Sequence, residues 1–270
     1  MQLSNAEYIP LRLLRRFVLS DRLLLRYGQF LPYYRTNHNQ VDPAPLVDSY
    51  SQKLAKLGLQ TQDRTLLEIG VGRTNSTCYE MAARFAPSRV YAHEPFVTFG
   101  ATADDNLLRL ISKRHGCHSH DVSRRVSRIS DLSVIPDDSV DLVLSSSVLE
   151  HVTDPPVLFK GLARVMTKDG AMLHLVDYRD HFFKYPYHFL QFSKNVWNGW
   201  LNPGDLPVWR LYDHIEQLQK AGFNVTVVDE TRDLAAFRKI SRMVSRDYRL
   251  DDERLMTTTA ALWVARARQP

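Results

Sequence analysis

The segment Leu66-Leu67-Glu68-Ile69-Gly70-Val71-Gly72-Arg73-Thr74 does most to restrict what this chain can fold into. An apolar run ends in a carboxylate, two glycines follow one residue apart, and Asn75-Ser76-Thr77 open what reads as a helix. That is the pattern of a buried strand feeding a tight turn. Glycine permits both the turn and a close approach of backbone to ligand, and the next helix offers its positive N-terminal end to an anion. A dinucleotide fingerprint, G-x-G-x-x-G, needs a third glycine that lets helix and strand pack. Asn75 stands at that position, which makes a nicotinamide cofactor a distant reading. Taken alone, the two glycines suit an ordinary strand-to-helix turn as well.

The downstream pattern adds to this. Arg89-Val90-Tyr91-Ala92-His93-Glu94 is a second short strand ending in a carboxylate, and a carboxylate there can take both hydroxyls of a ribose. A third carboxylate, Asp131, precedes Ile135-Pro136-Asp137-Asp138-Ser139. The strand Val140-Asp141-Leu142-Val143-Leu144 then leads into Ser145-Ser146-Ser147-Val148-Leu149-Glu150-His151-Val152. Thr153-Asp154-Pro155-Pro156 reads as a helix start, a cap residue followed by proline in the first turn. Lys168-Asp169-Gly170 reads as its stop, and Ala171–Asp177 as another apolar strand. Strand and helix alternating in this rhythm predict a parallel sheet with crossover helices.

With those residues in view, the chain from about Thr65 to Asp177 resembles the class I methyltransferases that use S-adenosylmethionine (SAM). It is most similar to the small-molecule group marked by LEIGxGxG, by a D…LPDxSxDLVxSxxVLEHV stretch and by L.RVLKPGG. Leu67 to Gly72 supply the first, Asp131 to His151 the second and Leu162 to Gly170 the third. Thr74 and Asp169 stand where the group often has glycine. The resemblance implies a Rossmann-like, seven-stranded, mostly parallel sheet with an antiparallel last strand and helices on both faces. It implies SAM as cofactor, with Glu68, Gly70, Gly72, Thr74, Glu94, Asp131 and Ser145 as its contacts. His151 is the first candidate for a base that takes the acceptor's proton, since it follows the fourth strand at the carboxyl edge of the sheet. Its ordinary pKa also lies near working pH. His181 and Asp180 are the second candidates. No metal-ligand spacing is evident, so no metal is expected in the mechanism.

Composition restricts the setting. No apolar run reaches about 18 residues, so no membrane-spanning helix is expected. Cys78 and Cys117 are isolated from one another, the usage of a cytoplasmic chain without disulfides. The net charge is +5, and +4 of it falls in residues 1–36, where six arginines face Glu7 and Asp21. Leucines interleave with these arginines between Pro10 and Tyr27, which predicts a basic amphipathic helix. Such a helix can pack on the core, cap the active site, or lie on an anionic membrane surface. The basic residues sit outside the motif-bearing core and no RNA-binding appendage follows them, so no nucleic-acid partner is expected.

The segment from about 178 to 210 reads as an insertion after the fifth strand, holding Trp197, Trp200 and Trp209 among His, Asp, Lys and Asn. Its aromatics suit a pocket wall that stacks on rings or sugar faces, or a local core beneath a long loop. This stretch is loosely similar to methyltransferases of bacterial glycan and surface-polysaccharide pathways. The resulting organisation is an N-terminal extension or cap over 1–50 and a methyltransferase domain over 51–270. The expected activity is in-line methyl transfer, chiefly to oxygen, on a small molecule or glycan precursor. The alternatives are a SAM-binding scaffold without turnover and a membrane-surface enzyme acting on a lipid-linked acceptor.

Overall fold

In a computed structural model the described residues are 5–19, 23, 42–180, 186–202, 204, 207–248 and 255–267. Five parallel strands come first: β1 (Thr65–Ile69), β2 (Arg89–His93), β3 (Val126–Ile129), β4 (Val140–Ser146) and β5 (Met166–Asp177). Two more follow, β6 (Phe223–Arg232) and β7 (Thr257–Arg266). The seven form one sheet in the order β3-β2-β1-β4-β5-β7-β6. β7 runs antiparallel to both of its neighbours. The order reverses between β1 and β4, and open α/β sheets bind ligands at the carboxyl ends of the strands beside such a reversal.

Period-two alternation divides each central strand between two cores. Leu66 and Leu144 enter one core, under the helices α2 (Ala44–Lys56), α3 (Ser76–Phe85) and α4 (Ala101–His115). A short helix, α5 (Ser119–Ser123), leads from there into β3. Leu67, Ile69 and Val143 enter the other core, with Phe159 and Leu162 of α6 (Pro155–Val165) and Leu218 of α7 (Leu211–Lys220). Apolar burial on both faces is what a parallel sheet requires. The start of α6 is as read from sequence: Asp154 accepts from the Val157 amide at 3.2 Å and Pro155 opens the helix.

Two local readings change. α6 ends at Val165, and Met166 already pairs with Val140, so Lys168-Asp169-Gly170 lies within β5 at a register shift and does not stop a helix. Arg238-Lys239, Arg242 and Arg246 recur at the spacing of one helix, but the charged stretch from Thr231 to Arg246 is the end of β6, a short helix α8 (Leu234–Ile240) and two 3-10 turns. Pairing of Thr231 with Thr259 and of Arg232 with Thr257 outweighs helix propensity there.

A third core lies outside the sheet. Tyr187, Phe189 and Trp197 of the insertion pack with Phe237 of α8 and with Tyr8 of the N-terminal helix α1 (Asn5–Phe17). The aromatics are therefore a local core, and part of a pocket wall as well. α1 docks through a polar contact: the buried Arg12 guanidinium pairs with the buried Asp180 carboxylate just beyond β5. Tyr8 also donates to Asp180, at 2.5 Å, and Arg12 lies 4.8 Å from the Trp197 ring centroid. The helix ends at Phe17, and residues 20–22 and 24–27 of the predicted basic helix lie outside the described residues.

Removing one member of a buried ion pair strands the other, at a cost of about 3–5 kcal/mol. Arg12→Ala and Asp180→Ala should each lower stability by about that much in chemical denaturation. The double variant should cost clearly less than the sum of the two. Simple additivity would show that the pair does not hold α1 to the insertion.

Candidate functional site

The largest cavity adjoining the sheet reversal has a volume of about 660 Å³, inside the usual range for small-ligand pockets of about 300–1,000 Å³. Its floor is Glu68 and the loop Gly70–Thr74, with Asn106 and Leu107 of α4 and Ser146-Ser147 at its sides.

The loop's shape follows from two glycines. Gly70 has φ +75°, and a Cβ there would fall 2.4 Å from Val148 Cγ2, so both conformation and space demand glycine. Gly72 has φ +70° with nothing within 4 Å of its absent side chain, leaving its backbone open to a ligand. Gly70 donates to the His93 carbonyl at 2.9 Å, which ties the loop to the end of β2. The Gly72 amide donates to Glu94 Oε2 at 2.9 Å, while Arg128 of β3 donates to the Gly72 carbonyl at 2.6 Å and to Asn75 Oδ1 at 3.0 Å. The loop is thus held in its binding shape by strand ends on one side of β1.

Glu94 Oε1 accepts from the amides of Phe96 and Val97 at 3.0 and 3.1 Å. A carboxylate has about four acceptor positions, so capacity for one ribose hydroxyl remains beside these three donors. The Phe96 ring next to it is almost wholly exposed, a flat apolar surface that sequence reasoning did not single out. Glu68 is buried and accepts from the Cys78 thiol at 3.2 Å. Burial pushes the Glu68 carboxyl up to about 8. Asp131 caps the turn Leu132–Val134 by accepting from the Ser133 amide at 2.7 Å, and that bond holds its carboxyl below the ordinary value.

The other predicted residues are scattered around the sheet edge. Thr74 lines the cavity and donates to Ser76 at 3.2 Å. Ser145 faces the sheet interior, 2.7 Å from His174 Nδ1, and it is Ser146 and Ser147 that line the cavity. Ser147 takes φ +55° while its amide donates to the Leu175 carbonyl at 2.8 Å. That left-handed residue turns the chain at the strand end, and the serine triplet gave no sign of which hydroxyl it would present. His151 is exposed on the 3-10 turn Leu149–His151, whereas Glu150 is buried and lines a small cavity beside Asp177, Arg12 and Trp197. Asp180 is committed to Arg12 and Tyr8. His181 lies outside the described residues.

A buried polar chain fixes the turn that carries Glu150 and His151. His214 donates from Nε2 to the Leu149 carbonyl at 3.1 Å and accepts at Nδ1 from the Tyr178 hydroxyl at 3.0 Å. Burial pushes His214 down to about 4, so it stays neutral and keeps one donor and one acceptor. Trp209 Nε1 donates to the Val152 carbonyl at 2.7 Å. Arg210, fully buried, donates to the carbonyls of Tyr178, Leu255 and Thr257 at 2.6, 2.6 and 2.5 Å. These contacts join the turn after β4, the end of β5, the start of α7 and the start of β7.

A glycine loop between β1 and α3, a carboxylate at the end of β2 and a cavity at the strand reversal define a small-molecule cofactor site of the open α/β class. Residues 67–174 match the family description "Methyltransferase domain". That segment is accordingly a methyltransferase domain, with SAM as its cofactor.

A comparison with curated protein sequences finds no match. Among solved structures, phosphoethanolamine N-methyltransferase 2 of Haemonchus contortus is similar in two forms, each with a TM-score of 0.53. The form with phosphomonomethylethanolamine and S-adenosylhomocysteine is 16% identical over 95% of this chain, and the form with SAM is 15% identical over 99%. The match spans 59% and 61% of those longer chains. At that identity the likeness speaks to the fold.

The residues present fit SAM. Glu68 would accept from the cofactor's ammonium, the open backbone at Gly72 admits it closely, and Glu94 has an acceptor position left for a ribose hydroxyl. Because Glu68 is neutral below about 8, the ammonium must expel its proton, and affinity should rise with pH. Calorimetry from pH 5.5 to 7.5, below the α-amino range of about 7.7–8.0, should show SAM binding tightening up to about tenfold per unit. Glu68→Gln should flatten that slope, and an unchanged slope would show that another group is the source. Glu94→Ala should weaken SAM about 10- to 100-fold, the worth of losing hydrogen bonds to a charged group, while far-UV circular dichroism stays native. Unaltered affinity would remove Glu94 from the site.

Proposed function

We propose that the protein transfers the methyl group of SAM to an oxygen of a small, hydroxyl-rich acceptor such as a glycan precursor. The observation that carries this reading is a second cavity, of about 290 Å³, that shares Ser146 and Ser147 with the cofactor cavity. Its walls bring together the hydroxyls of Ser49 and Thr259 and the pairs Lys53–Asp229 and Arg179–Asp177. Hydroxyls and paired charges offer donors and acceptors in alternation, which suits an array of alcohols better than an apolar ring. Arg179 and Asp177 also line the small cavity at Trp197 and Trp209, so a ring face has an aromatic wall beyond the polar one.

Bound SAM supplies a methyl carbon on a sulfonium, and the protein's task is alignment and exclusion of water. The loop from Gly70 to Thr74 holds the donor. The ends of β4 and β5 hold the acceptor, and the bond from the Asp177 amide to Glu150 Oε1 at 3.1 Å keeps those two ends together. An alcohol must lose its proton as the new bond forms. His151 is the base in this reading, carried on the turn that His214 and Trp209 anchor. Asp180, engaged by Arg12 and Tyr8, acts instead as the counter-ion that keeps α1 against the acceptor side.

Isotopically labelled SAM incubated with a panel of glycosides, phenols and amines tests the proposal. Label should appear on hydroxyl-bearing acceptors, and His151→Ala should lower kcat by about 10²-fold or more without weakening SAM. Label confined to amines would overturn the oxygen assignment. Undiminished kcat in His151→Ala would remove it as the base, and SAM binding with no transfer to any acceptor would favour the scaffold reading.

A further inference from the structure

α1 carries apolar side chains on both of its sides, with Tyr8, Ile9 and Leu13 packed into the core at the insertion. Its buried side carries Tyr8 and the guanidinium of Arg12, turned onto Asp180 and the aromatic insertion. At 100° per residue the opposite side carries Leu14, Phe17 and, beyond the helix end, Val18, which are 40%, 61% and 61% exposed. Phe17 does not stand alone: its ring meets Trp200, itself 60% exposed, edge-on at 6.1 Å between centroids. Trp200 belongs to the π-helical turn Trp197–Leu201, so two elements nearly two hundred residues apart in sequence build one apolar ridge. Val196, four residues before Trp200, is also exposed. Monomeric proteins seldom present grouped large apolar side chains without a use for them.

We propose that this ridge is a membrane-surface docking site for anionic lipid. The occupant follows from composition and charge. The ridge pairs a tryptophan and a phenylalanine with aliphatic side chains, the mixture that settles at the boundary between headgroups and acyl chains. Arg15, half-buried beside Leu14, donates to the Leu19 carbonyl at 2.8 Å at the end of the same helix, and the first 36 residues of the sequence hold +4 of the chain's net charge. Net positive charge beside an apolar wedge matches an anionic bilayer. Among the described residues no helix is long and apolar enough to cross a membrane, so the contact is one of lying on the surface. The Arg12–Asp180 pair gives the ridge its orientation, since it turns the helix's central cation inward and leaves Leu14 and Phe17 outward.

The test uses the full chain with extruded vesicles of phosphatidylcholine, alone or with about 30% phosphatidylglycerol. Co-sedimentation should be strong with the mixed vesicles and at least tenfold weaker with phosphatidylcholine alone or in high salt. Tryptophan emission should shift to shorter wavelength on binding. The pair of substitutions Phe17→Ser and Trp200→Ser should reduce binding at least tenfold, while SAM affinity, read by calorimetry, stays unchanged and certifies the fold. Absence of vesicle binding, or binding unaffected by the two substitutions, would overturn the proposal. So would a concentration-dependent dimer in light scattering that the same substitutions abolish, because the ridge would then be an interface between copies. None of these outcomes depends on which acceptor is methylated.

Discussion

The cofactor site depends on the way the backbone at Gly70–Gly72 is held. A loop of this kind binds well only if its amides and carbonyls already point the right way before a ligand arrives. Here the ends of two neighbouring strands do that work: Glu94 and the His93 carbonyl from the end of β2, and Arg128 from β3. Val148, beyond β4, closes the other side so tightly that Gly70 admits no side chain. Parallel pairing of β1 with β2 and β4 is what brings these groups to one place. Loop shape, strand order and cavity are therefore one constraint.

Two buried polar systems extend from that edge with different consequences. The chain Tyr178–His214–Leu149 is neutral, because burial keeps His214 uncharged, and each of its groups has a partner of the right kind. It can hold the turn after β4 without a charge to desolvate. Arg12 and Asp180 are charged and buried together, an arrangement that contributes less to net stability than an apolar contact of equal size would. Its value lies in orientation: a guanidinium that must find one carboxylate fixes the rotation of α1 about its axis. Apolar packing alone, with Tyr8, Ile9 and Leu13 on one side and Leu14 and Phe17 on the other, would leave that rotation open.

The motifs were legible because they are local. Glu68, Gly70, Gly72 and Thr74 sit within one turn of chain and all reach the cavity wall or floor. The order of β1 to β5 followed from apolar runs separated by helix starts. Where long-range pairing competes with local preference, the reading slipped. Lys168-Asp169-Gly170 has every mark of a helix stop, yet β4 draws Met166 into the sheet first. Among three consecutive serines, only the left-handed turn at Ser147 settles which hydroxyls face the cavity. Asp180 looked like a catalytic carboxylate beside the fifth strand until a partner arrived from residue 12, 168 positions away.

The sheet, its cofactor loop and the carboxylates at the ends of β1 and β2 are written into short stretches of chain, because hydrophobic period, glycine and strand length act over a few residues. What the outlying segments do depends on contacts between distant parts of the chain. Tertiary packing made the aromatic insertion a core shared with α1, and it joined a second cavity to the first through Ser146 and Ser147. It also set which face of the N-terminal helix meets the protein and which meets the solvent. The arginine-leucine pattern of that helix allows either face inward, and one buried carboxylate on a distant loop makes the choice.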